Sequence, residues 1–216
     1  MKKKFKALLI ILIVSFITSP AKTADQTGSQ ITEVTCEKTV SQTNVQITPK
    51  TCGEVDVTEG KTPEIRYESL EVPNIDSSFK TWMSYRAVTN KCSPQYNYIH
   101  TYGWTDEEGF MRAKADEAYN IEQDYYLIAL GSYYGTEIGT KYRITLDTGR
   151  VFYGVLADCK DDKHTNSTNQ YISHNGNVVE FLVDKTKLNK TVRKSGNAGS
   201  YEPLKGNITK IEKIIL

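Results

Sequence analysis

The chain has little net charge and only one long apolar run. Its 216 residues carry 27 basic and 26 acidic side chains, a formal charge of +1. A balance this close to neutral lacks the basic surface that proteins use to bind nucleic acid or anionic lipid. After the N-terminal segment no apolar run approaches the length of about 20 residues that crosses a membrane. The sequence therefore predicts a soluble protein with no nucleic-acid partner and, beyond its N-terminus, no membrane contact.

Motifs of several large enzyme classes are also missing. The chain has no H-E-x-x-H, no G-x-S-x-G, no P-loop and no G-x-G-x-x-G sequence. These absences argue against zinc peptidases, α/β-hydrolases, nucleotide-dependent enzymes and Rossmann dehydrogenases, and we expect no cofactor. No C-x-x-C pair is present, so a structural zinc site is not expected.

The apolar run lies at the N-terminus. "MKKKFK" is positively charged, "ALLIILIVSFIT" is apolar, and the small residues "SPA" follow. This order is typical of a secretory signal peptide over residues 1–21, and an uncleaved N-terminal anchor is the alternative. Removing residues 1–21 takes away four lysines and no acid, which leaves a formal charge of −3. We therefore expect a secreted protein.

Cysteine is scarce: the four residues are Cys36, Cys52, Cys92 and Cys159. Export makes disulfide bonds plausible, and four cysteines allow three pairings. We expect Cys36 to pair with Cys52 in a local loop and Cys92 to pair with Cys159 across the core. The alternative is that Cys92 or Cys159 is a free thiol.

The composition changes near Phe79. Residues 22–78 are polar and predict a linker, a small accessory segment or partial disorder. Residues 79–216 are rich in strand-forming side chains. Six strand candidates are separated by turn residues: "WMSYRAVT", "YYLIALG", "KYRITLD", "RVFYGVLAD", "NVVEFLVD" and "ITKIEKII". "TLDTGRVF" predicts a tight hairpin that turns at Gly149, and "DEEGFMRAKADEAYN" is the main helical candidate. The pattern predicts a mainly β domain, a barrel or sandwich with few short helices.

Two acids stand inside apolar strand candidates. Strict alternation of side chains puts Asp158 on the face of Phe152 and Leu156, and Glu180 on the face of Leu182. Apolar surroundings raise the pKa of a carboxyl group, which suits a general acid. Both residues are therefore candidates for catalysis. The alternative is structural, with Asp158 accepting hydrogen bonds from the next turn and Glu180 paired with a lysine or pointing outward.

The stretch "ADCKDDKHTN", residues 157–166, adds Asp161, Asp162, Cys159 and His164. A cation held by Asp158 and the two loop acids is a minor hypothesis, because the glycine of a calcium loop is missing. We expect no metal. Cys159 with His164 as nucleophile and base is another possibility, which a disulfide at Cys159 would exclude.

The order of these features resembles a known family. "IGTKYRITLDTG", "VFYGVLAD" and "GNVVEFLVD" follow a pattern of a G-T turn, a strand, a hairpin, a strand that ends in Asp and a later strand with a second acid. This pattern is similar to the double-psi β-barrel of rare lipoprotein A-like proteins, expansins and the three-aspartate (3D) cell-wall domain. The resemblance implies a six-stranded double-psi β-barrel over residues 79–216, with Asp158 and Glu180 at the positions of its acids.

The resemblance also implies a function. It suggests an exported, lytic-transglycosylase-like enzyme that cleaves peptidoglycan or another cell-wall polysaccharide, with Asp158 protonating the glycosidic oxygen. Candidates for contact with sugar are Tyr133, Tyr134, His164 and Tyr171, although tyrosines at turns are more often packing residues. The chain departs from the family in having "DCKDD" after the first acid and Glu180 in place of an Asp. The alternative is a secreted module that binds polysaccharide or protein without cleaving it. We expect a monomer.

Overall fold

The computed structural model describes residues 64–216, in which β-strands predominate. The predicted signal peptide, Cys36 and Cys52 lie outside the described residues. Within residues 64–216 neither α-helix is long and apolar enough to cross a membrane. In chain order the elements are β1 (Arg66–Leu70), β2 (Thr81–Ser84), α1 (Pro94–Tyr102), β3 (Trp104–Thr105), β4 (Met111–Ala113), β5 (Tyr125–Leu130), β6 (Lys141–Leu146), β7 (Val151–Cys159), β8 (Glu180–Val183), α2 (Lys190–Ser195) and β9 (Ile208–Ile215).

The strands form one mixed sheet whose ladder of hydrogen bonds does not close on itself. Its order is β1-β9-β6-β7-β5-β4-β3, and β8 pairs with both β5 and β2. β5 runs parallel to β7 and β2 runs parallel to β8, whereas the other pairs are antiparallel. The mainly β class predicted from the sequence is confirmed. The described strands leave β1, β2 and β3 at open edges, so they do not make a closed six-stranded barrel.

Each of the six strand candidates overlaps a strand of the structure. The hairpin between β6 and β7 also forms as expected. Gly149 adopts a φ of 79°, and its N–H donates to the carbonyl of Leu146 at 2.9 Å. The left-handed backbone at this position favours glycine because a Cβ would be strained there.

The main helical candidate is wrong. Its first residues form the turn between β3 and β4, because the Asp106 carboxylate accepts hydrogen bonds from the N–H groups of Glu108 at 3.1 Å and Phe110 at 2.8 Å. Gly109 supports this turn with a φ of 86°. A side-chain acceptor that satisfies nearby backbone donors competes with helix formation, so the chain reverses instead.

Helix α1 was not predicted, although its sequence carries a start signal. The Ser93 hydroxyl accepts a hydrogen bond from the Tyr96 N–H at 3.1 Å, and Pro94 occupies the first helical position. Both features are typical of a helix N-terminus. The sequence "PQYNYIHTY" is rich in tyrosine, which is common in strands, so its composition does not indicate a helix.

The folded unit begins before residue 79. Strand β1 pairs antiparallel with β9 along its whole length. Beyond it, the Glu71 carbonyl accepts hydrogen bonds from Tyr134 and Gln170, each at 3.3 Å. Part of residues 22–78, predicted as a linker, a small accessory segment or partial disorder, is therefore the edge strand of the sheet. Most residues of β1 are exposed, so its sequence lacks the buried apolar residues that usually predict a strand.

Apolar side chains cover both faces of the central strands. From β5, Tyr126, Ile128 and Leu130 lie in one cluster, here the first core, and Leu127 and Ala129 lie in another, the second core. The first core also holds Phe110, Phe152, Leu156 and Phe181, and the second core also holds Ile99, Val155, Ala157 and Leu182. With both faces covered, β5 is buried throughout, which explains its unbroken apolar sequence.

Candidate active site at the ends of β5 and β7

A β-bulge decides which face of the sheet Asp158 occupies. In the pairing of β5 with β7, Ile128 lies opposite Leu156 and Ala129 lies opposite Asp158, so β7 carries one extra residue, Ala157. Leu156 packs in the first core and Ala157 in the second. Because of this extra residue, the Asp158 side chain lies on the same face as Ala157 and Ala129. Without the bulge it would lie on the face of the first core. The face that strict alternation predicted for Asp158 is therefore wrong.

Glu180 reaches the same face from the other side of β5. Strand β8 pairs antiparallel with β5, and Glu180 lies opposite Ala129. Side chains of directly paired residues point to the same face of a sheet. Asp158 and Glu180 therefore flank Ala129 on the face of the second core.

Asp158 is a partly buried carboxyl with one backbone donor. The Cys159 N–H donates to its Oδ1 at 2.9 Å. Burial is the main cause that raises the pKa of Asp158, and the negative charge of Glu180 raises it further, against the opposing Cys159 bond and the Lys160 ammonium. The carboxyl therefore keeps its proton to a higher pH than an ordinary aspartic acid.

The Thr81 and Asn177 side chains hold Glu180 in place through consecutive hydrogen bonds. The Thr81 hydroxyl donates to Glu180 Oε1 at 3.1 Å. Asn177 donates from its amide to the Thr81 hydroxyl at 2.5 Å and accepts from the Thr81 N–H at 3.1 Å. The Glu180 carboxylate is thus oriented by β2, which pairs with β8 in parallel, while a quarter of its side chain, 25%, stays exposed.

Lys160 is a site residue that the sequence analysis missed. It lies two positions after Asp158, and only 1% of its side chain is exposed. Its Nζ is 3.9 Å from Glu180 Oε2. Burial lowers the pKa of Lys160 to about 8, although Glu180 and Asp158 oppose the shift. A lysine between acids in a polar stretch ordinarily predicts a solvated side chain. The one feature of the sequence that relates Lys160 to the site is its position two residues after Asp158.

A cavity of about 370 Å³ opens beside Glu180. The loop between β7 and β8 forms most of its wall. The lining residues are Thr81, His164, Ile172, His174, Asn175, Asn177 and Glu180. The structure thus brings His164, a predicted site residue, together with Glu180, and adds His174. The wall offers hydrogen-bond donors and acceptors suited to a hydroxyl-rich ligand.

The three candidate tyrosines differ in exposure. Tyr133 is 42% exposed, so its ring is available to a ligand, whereas Tyr134 is only 2% exposed. The Tyr134 hydroxyl donates a hydrogen bond to the Glu71 carbonyl. The Tyr134 carbonyl accepts a hydrogen bond from the Tyr142 hydroxyl at 2.6 Å. Tyr171 is partly buried against the first core. Tyr134 is therefore poorly placed to contact sugar, because the turn after β5 directs it inward.

A larger cavity, of about 920 Å³, lies at the start of β5 beside Tyr126. Most of its charged side chains are in ion pairs, with Glu122 as the exception: Arg112 pairs with Asp106, Lys114 with Asp124, and Arg150 with Glu202. Paired charges of this kind are ordinary surface features. The smaller cavity next to Glu180 is therefore the better candidate site.

The predicted bond between Cys92 and Cys159 is absent: both residues carry free thiols in the part of the chain that the structure describes. Cys92 is exposed before α1, whereas Cys159 ends β7 and packs against the first core. The same bulge that turns Asp158 toward Glu180 turns Cys159 to the opposite face. Cys159 is therefore poorly placed to act as a nucleophile with His164.

Iodoacetamide without reductant is expected to modify Cys92 before Cys159. Burial raises the pKa of the Cys159 thiol, and the nearby carboxylates Asp158 and Asp162 raise it further, so less reactive thiolate is present. Peptide mass mapping at increasing reaction times measures the order. Two thiols that react only after reduction would show instead that both are oxidised.

The loop acids have local partners. Asp161 forms an ion pair with Lys163 at 2.5 Å, and Asp162 accepts a hydrogen bond from the Ser132 hydroxyl at 2.7 Å. Within residues 64–216 no three His, Cys, Asp or Glu side chains are grouped so as to hold a metal ion. The cation hypothesis for Asp158, Asp161 and Asp162 gains no support from this geometry.

Comparisons with protein-family models, with curated proteins and with solved structures find no match to this chain. The function therefore has to be inferred from the geometry around Asp158 and Glu180 and from the sequence pattern that surrounds them.

Proposed function

We propose that the chain is an exported enzyme that cleaves cell-wall glycan, with peptidoglycan as substrate and Asp158 as general acid and base. The observation that carries this proposal is the pairing of two carboxyl groups across one strand. Asp158 and Glu180 both lie opposite Ala129 on one face of the sheet, and Glu180 lines a polar cavity. The raised pKa of Asp158, caused first by burial, favours the protonated form that a general acid needs.

The proposed reaction is that of a lytic transglycosylase. Asp158 gives its proton to the glycosidic oxygen as the bond from that oxygen to the anomeric carbon breaks. The 6-hydroxyl of the same sugar attacks the anomeric carbon, and Asp158 takes back the hydroxyl proton, which leaves a 1,6-anhydro end. The Glu180 carboxylate stabilises the positive charge that develops at the anomeric carbon.

Hydrolysis is the other course that the carboxyl pair allows. Two interstrand spacings of about 4.8 Å put the Cα atoms of Asp158 and Glu180 on the order of 10 Å apart. Carboxyl groups that keep a similar separation have room for a water molecule, which Glu180 would activate as a base. The products then carry ordinary reducing ends, so product analysis distinguishes the two courses.

The fold that we propose for this activity is a variant of the double-psi β-barrel. The elements follow the order that the resemblance implies: β5, the β6–β7 hairpin that ends near Asp158, and β8 with Glu180. The parallel pairs β5–β7 and β2–β8 support this assignment. The open edges at β1, β2 and β3 are where the variant differs from a closed barrel.

Purified protein is expected to release soluble fragments from purified Gram-positive cell walls, and Asp158→Asn is expected to lower the rate about 100-fold or more. Asparagine retains an oxygen that accepts the Cys159 N–H, but its amide is not acidic enough to protonate the glycosidic oxygen. Mass spectrometry of the fragments measures the rate and identifies anhydro or reducing ends.

Asp161→Asn is the matched control. Asp161 is exposed, and asparagine keeps the oxygen that accepts the Lys163 N–H at 3.2 Å. Its rate should equal that of the wild type. Wild type and Asp158→Asn that are equally inactive over about pH 4 to 8 would refute the enzyme proposal. Sedimentation of the inactive wild type with the walls would then favour the non-catalytic binding module.

A further inference from the structure

Lys160 shares a face of the sheet with both acids of the candidate site. Its N–H donates to the Leu130 carbonyl at 2.9 Å, which extends the pairing of β5 with β7 by one residue. Because it lies two residues after Asp158 in extended chain, its side chain points to the same face. Within residues 64–216 no group accepts a hydrogen bond from its buried Nζ. Its nearest carboxylate oxygen is Glu180 Oε2, at 3.9 Å.

The two acids have different surroundings. Glu180 receives the Thr81 hydroxyl on one oxygen and has the Lys160 ammonium near the other. Asp158 accepts the backbone N–H of Cys159 and is partly buried. A hydroxyl donor and a nearby cation favour an ionised carboxyl group, whereas burial favours a protonated one. The two acids thus differ in their partners: a hydroxyl and an ammonium at Glu180, and one backbone N–H at the partly buried Asp158.

We propose that Lys160 is a positioning residue whose buried ammonium holds the Glu180 carboxyl group beside Asp158 and so sets how readily Asp158 releases its proton. Lys160 acts through Glu180, since its own side chain is too buried to contact a substrate. The readiness of Asp158 to release its proton is a property of the protein alone. Only the consequence for glycan cleavage rests on the proposed function.

The surroundings of Lys160 and Glu180 come from several elements: Asp158 from β7, Ala129 and Leu130 from β5, Thr81 from β2, and His164 and His174 from the loop between β7 and β8. The carboxylates that act on Lys160 are Glu180 and Asp158, and burial lowers its pKa to about 8. Lys160 is therefore positively charged throughout the acidic range in which Asp158 titrates.

The test is a carboxyl ¹³C NMR titration of the purified protein that follows Asp158 and Glu180. The Asp158 midpoint is compared between the wild type and two variants. In Lys160→Met it should rise, because a cation that favours the ionised form of Asp158 is gone. In Glu180→Gln it should fall, because the negative neighbour is gone.

Lys163→Met is the matched control, since it removes one positive charge from the same stretch at a side chain that is 68% exposed. Solvent screening should make its effect on the Asp158 midpoint smaller than that of Lys160→Met. If Lys160→Met shifts the Asp158 midpoint no more than Lys163→Met does, the inference is overturned.

Wild-type protein provides a second measurement in case Lys160→Met does not fold. When the Lys160 ammonium loses its proton, followed at its ¹³Cε signal, the Glu180 carboxyl signal should show a small step at the same pH. Two independent curves would contradict the coupling between these residues.

Cell-wall assays separate this inference from the proposed function. If the NMR shifts occur but the wild type releases no fragments, the role of Lys160 stands and the enzyme proposal falls. If Asp158→Asn abolishes release but Lys160→Met titrates like the wild type, the enzyme proposal stands and the role of Lys160 falls. If both hold, Lys160→Met should move the high-pH limit of fragment release upward with the Asp158 midpoint.

Discussion

Replacing Gly131 by alanine is expected to lower the free energy of unfolding by about 3 kcal/mol. Gly131 follows β5 directly, and a Cβ at this position would overlap the carbonyl oxygen of Asn169 and lie 2.8 Å from its carbonyl carbon. The backbone itself is ordinary for any residue, with a φ of −67°. Glycine is therefore required for steric reasons. The blocking atoms belong to the Asn169 main chain, which cannot move aside as a side chain can.

The same contact holds the site loop against β5. The Tyr133 N–H donates to the Asn169 carbonyl oxygen at 3.3 Å, and Asn169 belongs to the loop that carries His164 and His174 into the cavity. Moving Asn169 to make room for a Cβ breaks this attachment. Gly131→Ala is therefore also expected to slow fragment release from cell walls, since His164 and His174 line the cavity beside Glu180.

Gly149→Ala is the control for backbone strain without a steric obstacle. Gly149 has a φ of 79°, and a Cβ there would meet nothing within 4 Å. Its replacement should cost about 1 kcal/mol from the left-handed backbone alone. Urea unfolding followed by tryptophan fluorescence measures both variants. A Gly131→Ala protein as stable as Gly149→Ala would mean that the close approach of Gly131 to Asn169 is not present in solution.

The protein is expected to become more stable as the pH rises from 8 to about 9.5. Burial lowers the pKa of Lys80 to about 8 and that of Lys160 to about 8. In the unfolded chain both lysines titrate near 10.5. Between these values the unfolded state binds more protons than the folded state, so raising the pH favours folding. The gain over this interval is about 1 to 2 kcal/mol for each lysine.

Above about pH 10 the trend should reverse. Burial raises the pKa of Tyr125, Tyr134 and Tyr142, so these side chains ionise in the unfolded chain before they ionise in the folded one. Ionisation that only the unfolded state undergoes lowers stability. The unfolding free energy should therefore pass through a maximum at alkaline pH.

Urea unfolding at a series of pH values tests this curve. Lys80→Met is expected to reduce the rise between pH 8 and about 9.5, and Lys160→Met should reduce it by a comparable amount. The two lysines lie in separate surroundings: Lys80 donates to the Gly206 carbonyl at 2.6 Å, and Lys160 lies beside Glu180. A wild-type stability that falls steadily from pH 8 upward would show that neither lysine has a depressed pKa in the folded protein.

Some elements can be predicted from a short stretch of sequence alone. The continuous apolar run of β5 and the glycine turn at Gly149 predict a strand and a hairpin without reference to the rest of the chain. Strand β1 had no such signal, because its exposed residues join the sheet only by pairing with β9 from the far end of the chain.

The site was predictable to the level of candidate residues but not to the level of geometry. Asp158 and Glu180 stand out in the sequence because each is an acid in an apolar strand. Alternation alone assigned Asp158 to the wrong face, since a bulge depends on the register between two strands. Tyr134 shows the same limit, because its burial follows from the path of the turn after β5.

The sequence by itself determined the mainly β class, the strand segments of the central sheet and the presence of two acids at strand ends, since these follow from periodicity and turn chemistry. Only the tertiary structure decided that Asp158, Lys160 and Glu180 share one face. The physical reason is that both acids lie opposite Ala129 of β5: a one-residue bulge in β7 and the antiparallel register of β8 bring together residues that are remote in the chain. The buried Lys160 ammonium lies on the same face, 3.9 Å from Glu180.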